Sequence, residues 1–207
     1  MKTLASIFAI VFCGFSISWF CLLVVGADDL NTTNLKTSLT VSGDEVVIPP
    51  DEGLAAKGKQ VYREFGCVAC HTQQVRRPGY GGDLDRDWGS RQTVPRDYVL
   101  QDQVMIGGKR MGPDLSNVGA RHDAAWFYAH LNNPGSKSAA TTMPSYSFLF
   151  RQKEINGTSA VNALDLQANE TPPEGYEVVP TDKAVALVAY LQSLKFDYDL
   201  PESKRIK

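Results

Sequence analysis

The chain has 207 residues, 43% of them hydrophobic and 21% charged, the make-up of one folded domain of ordinary size with an appendage, which excludes a disordered tail. A formal net charge of −2 speaks against nucleic-acid binding, because neutralising many phosphates requires a clear basic excess.

The first predicted element is a membrane span. From Thr3 to Ala27 the chain carries no charge, and a helix of that length covers the ~30 Å hydrocarbon core of a bilayer. The rival reading, a cleaved signal peptide, has an apolar region of only about 7–15 residues and a more basic start than the lone Lys2. Lys2 before the span and Asp28 and Asp29 after it predict a single-pass protein of the plasma (inner) membrane, with its N-terminus cytoplasmic and the remainder on the periplasmic or extracytoplasmic side. Cys13 and Cys21 serve as small apolar residues in residues 1–27, and Ser16 and Ser18 allow close packing against other helices. Residues 28–53 are expected to be a linker.

The soluble part opens with "GLAAKGKQVYREFG", which predicts a helix with Gly58 and Tyr62 one turn apart on one face. It runs directly into Cys67, Cys70 and His71, a C-x-x-C-H motif. A four-ligand zinc site needs a second pair of ligands, yet His122 and His130 lie far downstream without such pairing. A thiol redox couple needs no trailing histidine, and an iron–sulfur cluster needs four ligands. Beside the rival of a chance motif on a surface turn, the pattern is the attachment signature of one covalent c-type haem: Cys67 and Cys70 bond its vinyl groups and His71 faces the iron.

Arg76, Arg77 and Arg91 follow as candidates for pairing with haem propionates, for contact with a partner, or for a solvated surface. "GGDLDRDWGS" alternates aspartates like a calcium loop, but Trp88 and Val94 stand where an EF-hand needs glycine and an acid. In "RMGPDLSNVGAR" the carbonyl of Pro113 is a candidate acceptor for the far nitrogen of His71, the rival being an ordinary Gly-Pro turn. A short helix is predicted from its Asp123 cap to a stop before Pro134. The sixth iron ligand can come from Met105, Met111, Met143, His122 or His130. Met143 is favoured because Pro144 stiffens its loop and suits it to approach a flat ring, whereas Met105 and Met111 are expected to line the pocket and His130 to pack. Residues 151–177 read as an irregular insertion. "TDKAVALVAYLQSLK" predicts a closing helix capped by Thr181, with Val185, Val188, Leu191 and Leu194 on one stripe and Tyr190 meeting Tyr62 where it crosses the first helix. Residues 54–195 are then one domain and 196–207 a C-terminal tail.

The order helix, C-x-x-C-H, Gly-Pro turn, short helix, Met-Pro loop, closing helix resembles the small monohaem cytochrome c domain, an all-α fold, here with one N-terminal transmembrane helix. The stretches "GCVACHTQQVR", "DWGSRQTVPRDYV", "GGKRMGPDLSNVGAR", "WFYAHLNNP" and "MPSYSFLF" resemble more narrowly the membrane-anchored monohaem subunit II of cbb3-type cytochrome c oxidase. The second arginine of "VRRP" and Gly108, where a serine is expected, depart from that pattern. The resemblance implies a relay without catalysis of its own. It would pass single electrons to the large haem–copper subunit that reduces oxygen, with a further cytochrome c subunit as neighbour. A cytochrome c subunit of nitric oxide reductase and a free tethered carrier or haem sensor are the alternatives.

Overall fold

The structure, a computed structural model, describes residues 2–26, 53–98, 101–166 and 171–206. The linker expected over 28–53 lies outside the described residues except for Gly53. Two compact units divide the chain, 1–38 and 39–207.

In the first unit, helix α1 (Lys2–Trp19) continues through a wider, π-type turn over Phe20–Val25. Its side chains, among them Leu4, Phe8, Phe12, Phe15 and Leu22, point outward and are exposed. Thr3–Val25 contains no charged residue and spans roughly 35 Å at helical rise, long and apolar enough to cross a membrane. Cys13 and Cys21 are free thiols on its surface.

The second unit is mostly helical. Helix α2 (Leu54–Glu64) ends at Gly66, whose φ of 70° turns the chain into α3 (Cys67–Cys70), a single turn. This left-handed conformation costs a residue with a Cβ free energy that glycine does not spend. Helices α4 (Val118–Arg121), α5 (Ala124–Asn132) and α6 (Asp182–Ser193) follow. The Asp123 carboxylate accepts from Trp126 N at 2.8 Å to start α5, and Thr181 Oγ1 accepts from Ala184 N to start α6. Each cap satisfies a backbone donor that the first helical turn leaves open.

The crossing of α2 over α6 organises the core. A methyl group on Gly58 would overlap the Ala186 carbonyl and Tyr190 Cβ, so the backbones meet at a distance only glycine permits. Beside it the Tyr62 and Tyr190 rings meet edge to face at 5.5 Å. Gly119 of α4 is packed as tightly against the Gln192 carbonyl on α6. Helix α6 is consequently buried more widely than the single stripe expected for it. Ala184, Ala186, Leu187, Val188, Tyr190 and Leu191 are all inside, because α2 covers one side and α4 and α5 others.

One finding corrects the all-α expectation. Strands β1 (Phe150–Glu154) and β2 (Tyr176–Pro180) pair antiparallel, with Phe150 opposite Pro180 and Glu154 opposite Tyr176. The ends of the segment expected to be irregular are thus a small sheet. The alternation missing from exposed β1 is present in β2, whose Val179 is buried while Tyr176 is exposed. Residues 196–206 also pack inward: Leu200 is fully buried, and Ile206 N donates to Ser90 O at 2.8 Å.

Candidate functional site

The C-x-x-C-H turn is held by backbone hydrogen bonds on both sides. Within it His71 N donates to Cys67 O at 2.9 Å. Across from it, Lys109 N donates to Ala69 O, Gly112 N to Cys70 O (both 3.1 Å), and Leu115 N to Thr72 O at 2.8 Å. The 107–115 loop therefore lies along the motif and brings Pro113 beside the imidazole, with His71 Nδ1 2.9 Å from the Pro113 carbonyl. A carbonyl only accepts, so Nδ1 carries the proton and Nε2 keeps its lone pair. Burial lowers the His71 pKa, partly offset by this hydrogen bond, and keeps the ring neutral. A side chain on Gly112 would strike the ring itself. At the other end of the residue Tyr62 donates its hydroxyl to His71 O at 3.0 Å. Next along the chain, the buried Gln73 side chain exchanges hydrogen bonds with the Tyr190 hydroxyl at 2.9 and 3.0 Å, so the crossing of α2 and α6 also positions the motif.

Cys67 and Cys70 are free, half-buried thiols. Burial pushes the Cys67 thiol up to about 11, and it hydrogen-bonds with Tyr146. Tyr146 lies three residues beyond Met143, and its backbone N donates to Leu131 O at the end of α5 at 2.9 Å. Met143 is half-buried against the same apolar cluster that Cys67 and Val68 touch. Met105 is wholly buried in that cluster, whereas Met111 is 61% exposed. His130 stacks on Trp126 with ring centres 4.6 Å apart, and His122 on the other face of the column at 3.6 Å. Burial, followed by the charges of His71, His122 and Lys137, brings His130 down to about 4, so it is neutral.

The arginines singled out by sequence have other occupations. Arg91 is buried and forms a two-pronged pair with Asp97, 2.6 and 2.9 Å, while its Nε donates to Tyr198 O. Arg76 donates from N, Nε and Nη2 to the buried Asp83, which also takes Arg110 at 2.6 Å. Burial opposes ionisation of Asp83, yet these donors hold it down at about 2. Arg110 adopts a φ of 46°, a conformation unusual for a side-chain-bearing residue, secured by its bonds to Asp83 and to Gln74 O. Arg77 lies over the Tyr80 ring at 3.8 Å. Asp83 is thus an arginine acceptor.

The donor set fits one haem. A half-buried thiol pair is followed by a neutral imidazole whose distal nitrogen is free, and a thioether borders the same apolar cluster. Residues 35–173 match the family model described as cytochrome c oxidase, mono-heme subunit/FixO, which covers more than half of the chain. The chain belongs to this family. As a mono-haem oxidase subunit it is a cytochrome of electron transport, and its N-terminal apolar helix accords with a membrane setting. A search of curated proteins gives no match. The family match ends at 173, so α6, which carries Tyr190, lies beyond it.

Proposed function

We propose that this mono-haem subunit relays single electrons to the catalytic haem–copper subunit of a cbb3-type cytochrome c oxidase and does not itself reduce oxygen. The haem, when bound, supplies the one-electron couple, and the protein supplies position, ligands and electrostatics. In this reading Cys67 and Cys70 would form thioethers with it, and His71 Nε2 and the Met143 sulfur would be the ligands of its iron. The Pro113 carbonyl fixes the imidazole tautomer and makes it a stronger donor. Tyr62 and Gly112 limit its movement along and around the chain. Methionine opposite histidine raises the reduction potential over two histidines, which suits a carrier close to an oxidase. Residues 1–27 anchor the haem domain, 54–195, on the extracytoplasmic side, with the N-terminus cytoplasmic; a further cytochrome c subunit is a neighbour in the complex.

The observation that carries this reading is the His71 imidazole held as a neutral Nδ1–H donor to Pro113, immediately after the two thiols, in a chain of the mono-haem family. Denaturing electrophoresis tests it: the chain retains haem-linked peroxidase activity, and Cys67→Ala with Cys70→Ala abolishes it. Absence of stain from the native chain overturns covalent attachment. Met143→Ala changes the low-spin spectrum and His130→Ala does not; the reverse result assigns the ligand to His130. Copurification with an oxygen-consuming complex containing haem b supports the relay, and isolation as a lone polypeptide refutes it.

A further inference from the structure

The loop that carries Met143 is fastened more firmly on one side than on the other. Before Met143, residues 137–140 are exposed, and Ser138 N, Thr141 N and Met143 N donate to Pro134 O, Ser138 O and Thr141 Oγ1, all within the same segment. Pro144 then brings no backbone donor. Beyond it the chain is tied to three other elements. Ser145 Oγ donates to Asn132 O at 2.6 Å and Tyr146 N to Leu131 O at 2.9 Å, both at the end of α5. Leu149 O accepts from Thr181 N and Thr181 Oγ1 at the start of α6, 2.9 and 2.8 Å. The third tie reaches the C-x-x-C-H turn itself. The Tyr146 hydroxyl hydrogen-bonds with the Cys67 thiol, and its ring meets Phe148 at 5.7 Å and Phe65, which stands just ahead of that turn, at 6.3 Å. Phe65 and Phe148 close the group edge to face at 5.3 Å. Ring contacts of this kind attract beyond the area they bury.

We propose that Tyr146, backed by Phe65 and Phe148, is a positioning residue that holds Met143 on the iron and thereby keeps the haem closed to diatomic gases; this rests on the haem and Met143 reading above. A sulfur atom keeps its lone pairs when a thiol becomes a thioether, so the Tyr146 hydroxyl retains its acceptor after attachment. Pro144 and Ser145 alone separate Met143 from Tyr146, so slack at the tyrosine passes to the methionine sulfur. Closure matters for a relay beside an oxygen-reducing centre. Access to the sixth position decides between oxygen binding and electron transfer, and a ferrous haem that takes up oxygen no longer passes its electron on.

The test uses the full-length, haem-loaded chain in detergent, expressed without partner subunits, with carbon monoxide as the probe of the ferrous iron. Met143→Ala examines the ligand reading alone: its low-spin spectrum is lost and its carbon monoxide binding gives the rate of an open iron. An unchanged spectrum there overturns the ligand reading and the proposal with it. Tyr146→Phe keeps the ring contacts and loses the hydroxyl, and it is expected to bind carbon monoxide about two- to tenfold faster than the wild type, the change that one hydrogen bond makes in an opening equilibrium. Phe148→Leu, at an exposed ring, is expected to speed binding as well. Tyr190→Phe, which loses its hydroxyl bonds to Gln73 away from the loop, leaves the rate unchanged. Equal acceleration in Tyr146→Phe and Tyr190→Phe marks a general loosening of the domain and overturns the proposal, as does a haem-loaded Tyr146→Phe with wild-type kinetics. If Tyr146→Phe fails to fold, wild-type kinetics in Phe148→Leu overturn it equally.

Discussion

The crossing of α2 and α6 and the region joining residues 76–98 to 196–206 are held together in opposite ways. At the crossing, backbones touch through Gly58 and the contacts are ring on ring and aliphatic on aliphatic. In the other region two carboxylates, Asp83 and Asp97, are wholly buried, and each gathers arginine donors around it. The first is tuned by shape and the second by charge. Shape errors in a packed core are absorbed by small shifts at a moderate cost, while a charge stripped of its partner in the interior has nowhere to go.

The comparison breaks most visibly at Asp97. Asp97→Ala leaves Arg91 buried and unpaired and deprives Val94 N and the Tyr198 hydroxyl of their acceptor. The expected loss is about 3–5 kcal/mol in denaturant unfolding of the detergent-solubilised protein. At the crossing, Gly58→Ala pushes a methyl into the Ala186 carbonyl and is expected to cost about 1–3 kcal/mol by the same measurement, with Tyr62 fluorescence reporting the disturbed packing.

Acid separates the two regions further. Asp83 has a folded-state pKa of about 2 against an ordinary value of 3.8, so its stabilisation is complete above about pH 4 and is lost as pH falls through 2. Acid unfolding of the wild type therefore steepens across that window. Asp83→Asn, less stable at neutral pH, shows a flatter dependence there; an unchanged slope would show that Asp83 is not the group protonated. The smallest effect belongs to Tyr190→Phe, which keeps the ring contact with Tyr62 and removes the hydroxyl bonded to Gln73. About 0.5–1.5 kcal/mol is expected, with haem content unchanged.

The same contrast explains what could be read from sequence. The crossing was legible because its signals are local or periodic: Gly58 and Tyr62 one turn apart, Thr181 at a helix start, and Tyr190 in an apolar run. The Cys67, Cys70 and His71 triplet is likewise a local string. The charged region had no such signature. Arg91 meets Tyr198 107 positions away, and nothing around either residue encodes that distance. Arg91 accordingly read as a surface or propionate residue, whereas it is 2% exposed and taken by Asp97. The β1–β2 sheet escaped notice because β1 is polar and exposed beyond Phe150, so it lacks a buried face to alternate against.

The position of α6 has a consequence for biogenesis. Gly58 and Tyr62 are synthesised more than a hundred residues before Ala186 and Tyr190, which pack against them. Chains fold as domains once their parts are available, so a nascent α2 has no surface to dock on until late in translation.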